Sequence, residues 1–245
     1  MPEQRKSFHS ELDEIRDEIV QLGALVSEFI PRGTEVLLTN DMKGALALIE
    51  ADDQLDALTL RIEEQCYNVL ALQQPMASDL RSIVTAVWLT GELERSGDLM
   101  VNVAKAARRI YGATLDPKLK GLIERMSEEA SRLVKLSLDA YVERNARLGA
   151  AIDDALDAIQ GDYIEAIFES HAMHDLGLQA AVQLALVGRY YERIGDHAVN
   201  IGQRVQYMVT GWLPEQTGAA RAKARASFEL PADLDPLAGG DEDGT

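Results

Sequence analysis

Two carboxylates and an amide, Glu94, Asp98 and Asn102, recur as Glu192, Asp196 and Asn200. They lie in two nine-residue stretches, Glu94-Arg-Ser-Gly-Asp-Leu-Met-Val-Asn102 and Glu192-Arg-Ile-Gly-Asp-His-Ala-Val-Asn200, set 98 residues apart. An acidic block recurs too, as Asp52-Asp-Gln-Leu-Asp-Ala57 and Asp153-Asp-Ala-Leu-Asp-Ala158, at an offset of 101. Two matches in one order at nearly one offset indicate an internal duplication. On a helix, residues four apart bring their Cβ atoms to about 5–6 Å. Glu94 with Asp98, and Asp52 with Asp56, can therefore each grip one ion or share a bridged pair; Glu192 with Asp196, and Asp153 with Asp157, repeat the pattern. Carboxylates without cysteine and without a helical Glu-x-x-His select hard cations: Mg²⁺, Mn²⁺, Ca²⁺ or ferric iron. Four such groups crowded together without counter-charge would raise one another's pKa.

These side chains need a hairpin to bring them together. If a turn joins two antiparallel helices, the acidic pairs face each other when they are equidistant from it. The midpoint between the first two pairs is Pro75, a natural helix break. The second midpoint falls at 174–175, within the weakly periodic stretch ending at Gly177. Apolar spacing predicts a first helix over 3–30, ended or kinked by Pro31 and Gly33. A second helix follows, capped by Asn40 or Asp41 and running to Gln73, and a third runs from Pro75 to Ile110. Asp116-Pro117 opens a fourth helix running to Tyr141, a fifth spans 146–170, and a sixth spans 175–209, ending near Gly211. No segment alternates with period two, so the predicted fold is all-α, two tandem three-helix bundles over 1–113 and 114–213. The polar remainder, 214–245, reads as a disordered acidic tail.

Composition sets limits on partners. A net charge of −17 opposes nucleic acid and anionic lipid, since their phosphates would be repelled. The single cysteine, Cys66, excludes an intrachain disulfide and a Cys-based zinc site. The opening residues lack the apolar core of a signal peptide, and no apolar run approaches the ~20 residues a bilayer requires, so the expected location is the cytoplasm.

Several other residues invite a function but read more simply. In a chain with 41 acidic residues an isolated Glu-x-x-x-Asp is ordinarily a solvated face; it is the matched pairs in both halves that make a site. His171 and His174 sit at the predicted turn without first-half counterparts and read as surface histidines, and His197, standing where the first copy has Leu99, is no stronger a ligand candidate. Cys66 and Trp88 read as core. Arg95 and Arg193 are expected along the rim, while Gly97 and Gly195 leave room for close helix approach or for a metal cluster. No nucleophile, base and orienting group converge, and no glycine-rich phosphate loop appears, so no catalytic machinery is expected beyond a metal.

Gln74-Pro-Met-Ala-Ser-Asp-Leu-Arg81, Glu92-Leu-Glu-Arg-Ser-Gly-Asp98 and Tyr191-Glu-Arg-Ile-Gly-Asp196 together resemble the PhoU family of phosphate-signalling proteins, over roughly residues 5–213. The resemblance implies a multinuclear metal site on each bundle, of Fe, Mn or Mg with Zn as an alternative. Its ligands would be Asp52, Asp56, Glu94 and Asp98 in one half, and Asp153, Asp157, Glu192 and Asp196 in the other. It further implies a homodimeric, non-enzymatic cytoplasmic regulator. Such a protein links the ATPase subunit of the phosphate ABC transporter to a sensor histidine kinase and represses the starvation response. Two departures stand out: the second half lacks the Asp-Leu-Arg opening in register, and Ser96 replaces the isoleucine found at Ile194. Two readings compete with the adaptor. One is a carboxylate-bridged metal enzyme, a phosphohydrolase or di-iron protein; the other is a metal-free helical protein whose acidic faces bind a basic partner.

Overall fold

The computed structural model of the chain describes residues 2–152, 156–173 and 176–212, with side chains from Phe8 onward. Its helices are α1 (Pro2–Thr39), α2 (Met42–Gln73), α3 (Ala77–Arg109), α4 (Pro117–Val142), α5 (Ala146–Ala150), α6 (Leu156–Ala172) and α7 (Leu178–Thr210). No strand occurs among the described residues. Three helices, α1, α2 and α3, pack on one another, and α4, α6 and α7 repeat the arrangement with α5 laid against α4 and α7. The fold is thus all-α, two tandem three-helix bundles. They share a seam, since α3 packs along α7 and α1 along α4.

Local chemistry sets the helix starts. Asp41 caps α2 by accepting the Lys43 N–H at 3.0 Å, and Asp116 caps α4 by accepting the Leu119 N–H at 2.9 Å, with Pro117 in the first turn. The breaks between the paired helices fall between Gln73 and Ala77 and between Ala172 and Leu178, in each half between the acidic motifs as the equidistance argument requires. Ile19, Leu22, Val26 and Ile30 form the buried stripe of α1, and Leu48, Leu55 and Ile62 that of α2. Cys66 is buried and free, as expected of a core residue, and burial first, then Glu63 and Glu18, push its thiol up to about 12.

Three expectations are corrected. The first helix does not stop at Ile30 but continues through Pro31 to Thr39. Pro31 costs about 3 kcal/mol inside a helix, yet it lies on the exposed face, while Val36 and Leu37 beyond it are buried. Burying each gains about 1.5–3 kcal/mol, which offsets the break. The predicted helix over 146–170 is instead two, α5 ending at Ala150 and α6 beginning at Leu156. Gly149 of α5 packs backbone to backbone on Gly202 of α7: a Cβ on Gly149 would stand 2.6 Å from the Gly202 carbonyl oxygen. That contact, with Ile152 buried beside it, holds α5 against α7. Trp88, read as core, is 46% exposed, and the Arg204 guanidinium stacks 3.9 Å from its ring centroid. The expected tail, 214–245, lies outside the described residues.

Candidate metal centres on the two hairpins

In the first half, α2 supplies Asp52 and Asp56, and α3 supplies Glu94 and Asp98. Gly97 allows the two helices to close up, because a Cβ there would meet Leu55 Cδ1 of α2 at 2.6 Å. The four carboxylates feel one another. Burial first, then Asp98 and Asp56, push Asp52 up from 3.8 to about 6, against the pull of Lys105. Burial, then Asp98 and Asp56, likewise raise Glu94 above the ordinary carboxylate range, opposed by Arg95. Asp52 and Glu94 are half-buried, whereas Asp56 and Asp98 reach solvent. The Asp52 Oδ1 atom is buried with no hydrogen-bond partner.

The second half places Asp157 at the start of α6 and Glu192 and Asp196 on α7. Asp157 and Asp196 are exposed and Glu192 is buried; Asp153 lies outside the described residues. Glu192 is ion-paired through Oε1 to Arg189, while its Oε2 is buried without a hydrogen-bond partner. Arg189 stands 98 residues after Gly91, so the second hairpin carries a built-in counter-charge at a position where the first has none. Lys105 serves that purpose in the first hairpin, and its counterpart is Gln203. The duplicated sites are therefore alike in acids and different in their compensating cations.

The donors suit a hard cation: they are carboxylate oxygens at helical spacing, with one orphaned buried oxygen in each half. Among the described residues, no three His, Cys, Asp or Glu side chains converge tightly enough as they stand to hold an ion. The exposed Asp56, Asp98, Asp157 and Asp196 would have to complete each site by rotamer changes that place an oxygen beside the buried one. Of the histidines, His171 is exposed on the last turn of α6, with Nδ1 2.7 Å from the Leu176 carbonyl oxygen. His174 lies outside the described residues.

Sequence reasoning missed the seam beside these sites. Glu92, only 5% exposed, points from α3 to α7, where His197 Nδ1 lies 2.7 Å from its Oε2 and Asn200 Nδ2 donates to the same oxygen at 3.0 Å. Burial works to raise the Glu92 pKa, but the hydrogen bonds from His197 and Asn200 outweigh it and hold the carboxyl below 4.5. His197, read as a weak ligand candidate, is buried and spends Nδ1 on Glu92. Its spacing from Asn200 puts both on one face of a helix, which was the available signal; the partner 105 residues away left none. Arg95 reaches the same glutamate at 3.4 Å with an exposed guanidinium, in keeping with a rim position.

Duplicated helical hairpins, the first with its acidic pairs gathered across α2 and α3, define a class of all-α protein built from two copies of one unit. Two segments, 19–107 and 123–205, match the PhoU domain. The chain belongs to the PhoU family. It is 32% identical over 216 residues to the phosphate-specific transport system accessory protein PhoU homolog 1 of Mycobacterium tuberculosis, covering 86% of this chain and 97% of that one. A homolog from Clostridium acetobutylicum is 33% identical over 211 residues, 84% of this chain and 96% of the relative. Among solved structures, PhoU from Pseudomonas aeruginosa superposes with a TM-score of 0.78 at 28% identity, covering 84% of this chain and all of that one.

Proposed function

We propose that the chain is a non-enzymatic, metal-holding accessory regulator of a phosphate-specific transport system, cytoplasmic and homodimeric. It restrains phosphate uptake and the phosphate-starvation response by joining the ATPase subunit of the transporter to a sensor histidine kinase. The observation that carries the metal part is the gathering of Asp52, Asp56, Glu94 and Asp98 on one hairpin, with Asp52 raised to about 6 by burial and by its neighbours. The regulatory part rests on family membership and on relatives named as accessory proteins of phosphate-specific transport. None of the described helices is long and apolar enough to cross a membrane, so contact with a transporter would be made from its surface.

Asp52, Asp56, Glu94 and Asp98 would hold metal in the first half, and Asp153, Asp157, Glu192 and Asp196 in the second. The ion, Fe, Mn or Mg with Zn as an alternative, would neutralise the mutual repulsion of these acids. It would stabilise the folded chain by mass action. Deleting the gene should derepress phosphate-uptake genes in phosphate-rich medium, and reintroducing the wild-type chain should restore repression. Unchanged expression in the deletion strain counts against the regulator.

A second reading has one observation behind it. A carboxylate that ionises near pH 6, as Asp52 does, is suited to general-base catalysis, so a carboxylate-bridged phosphohydrolase or di-iron enzyme is the alternative. Turnover of p-nitrophenyl phosphate with Mn²⁺, Mg²⁺ or Fe, abolished by Asp98→Ala, would replace the adaptor reading.

A further inference from the structure

Where α1, α3, α4 and α7 meet, they enclose a cavity of about 30 Å³, room for about two waters or one compact tetrahedral ion. Asp13 and Arg16 of α1, Tyr141 of α4 and Arg144 just beyond α4 line it, with Ile83 of α3 and Met208 of α7 in its apolar wall. Ser82, also in the lining, has already given its proton to the Ser78 carbonyl oxygen at 3.0 Å. Ile83 stands eleven residues before Glu94 on one helix, about 16 Å along it. The cavity is therefore separate from the carboxylates of the first hairpin.

Its lining is cationic in a chain of net charge −17. Among the described residues neither Arg16 nor Arg144 is ion-paired, although the chain carries 41 acidic side chains. Arg16 Nη2 donates to the Val142 carbonyl oxygen at 2.7 Å, which anchors its guanidinium at the end of α4. Arg144 holds φ at +49°, at a helix end where glycine is the usual residue. Arginine there accepts a strained backbone and brings a second cation to the cavity. Tyr141 is only 6% exposed, yet its hydroxyl makes no hydrogen bond among the described residues. Burial first, then Cys66, push its pKa up against the pull of Arg16 and Arg144, so the phenol keeps its proton and can donate it.

We propose that this cavity binds inorganic phosphate as hydrogen phosphate. The guanidinium groups of Arg16 and Arg144 and the Tyr141 hydroxyl donate to its oxygens, and charge-assisted bonds from arginine are the strong ones for such an anion. Asp13, exposed at the cavity, accepts the remaining P–OH proton. Sulfate has no proton to give and leaves that carboxylate facing an anion, so the lining selects phosphate. The volume excludes the organic portion of a phosphate ester. Since α1 and α3 belong to one bundle and α4 and α7 to the other, bound phosphate ties the bundles together. Only its use as a signal rests on the regulatory reading above; binding is read on the purified chain, and the deletion strain tests regulation separately.

Equilibrium dialysis of radiolabelled inorganic phosphate against the full chain provides the test, in chloride buffer with EDTA so that no hairpin metal holds the label. One phosphate per chain is expected, with sulfate competing about tenfold less well. Arg144→Gln should weaken binding about tenfold and Tyr141→Phe about threefold. Both should melt as wild type without phosphate, since Arg144 is exposed and unpaired and the phenylalanine loses only a hydroxyl. Phosphate should raise the melting temperature of wild type but not of Arg144→Gln. Asp13→Asn should bring phosphate and sulfate to similar affinity. No label retained at millimolar phosphate, or wild-type binding by both Arg144→Gln and Tyr141→Phe, would overturn the proposal. Equal competition by sulfate in the wild type would do so too, marking an adventitious ion only. Equal competition by a nucleoside monophosphate would make the ligand an ester and overturn it as well.

Discussion

Asp52 and Glu92 are both acidic, both near the hairpin face, and shifted in opposite directions. Asp52 is raised to about 6, so the folded state binds its proton more tightly than the unfolded chain does. Stability then declines as pH rises from about 4 to about 6, and lowering the pH recovers it. A two-unit displacement corresponds to about 3 kcal/mol at most, and solvent screening at a half-exposed cluster reduces that to on the order of 1 kcal/mol. Asp52→Asn should therefore stabilise the metal-free protein by about 1 kcal/mol at pH 7 and by almost nothing at pH 4, as read by urea denaturation. Glu92 works the other way: held below its ordinary 4.5, it contributes fully above that pH and is lost as pH falls through its depressed value. His197→Leu leaves that buried carboxylate with only Asn200 and the exposed guanidinium of Arg95 at 3.4 Å, and should cost about 3 kcal/mol by the same measurement. The gathering of Asp52, Asp56, Glu94 and Asp98 on one hairpin was legible because their spacing is local and repeated. The Glu92–His197–Asn200 contact was not, because nothing in sequence joins residues 105 and 108 apart.

At the level of helices, the hairpins could be read from caps, prolines and equidistance, since each depends on a few adjacent residues. Asp41, Asp116 and Gly211 stand at the helix ends where those rules put them. What could not be read was how long-range packing overrides local preference. Pro31 is carried through because apolar residues on both sides of it are buried, and α5 is held against the distant α7 where Gly149 meets Gly202. Trp88 has helical spacing suited to a core, but spacing alone does not say which faces neighbours cover. Glycine substitutions separate the two kinds of information. Gly149→Ala would drive a methyl group against the Gly202 carbonyl oxygen and should destabilise the protein by about 1–3 kcal/mol. Gly121→Ala, on α4 with nothing within 4 Å of its would-be Cβ, should stabilise it by about 0.5–1 kcal/mol. Thermal melts of the two variants should shift in opposite directions.

Across the whole molecule, one unit has been used twice and joined along α3 and α7, with α1 and α4 closing the other side. A buried cluster reinforces that junction: the Thr34 hydroxyl donates to Ile30 O, and the Ser127 and Tyr191 hydroxyls each lie 2.7 Å from it. The copies have since diverged in their counter-charges, Lys105 beside the first acidic group and Arg189 beside the second. An arginine already paired to Glu192 competes with a cation for that carboxylate, so the second hairpin should bind metal more weakly than the first. The central claim, that each hairpin holds a hard cation between facing carboxylates, is tested most directly by counting metal per chain. Protein saturated with Mn²⁺ and desalted should retain metal at both hairpins. Asp52→Asn with Asp98→Asn should lose the share bound by the first hairpin, and Asp157→Asn with Asp196→Asn that of the second, with helicity unchanged in both. Metal content equal to wild type in both double variants would contradict the account.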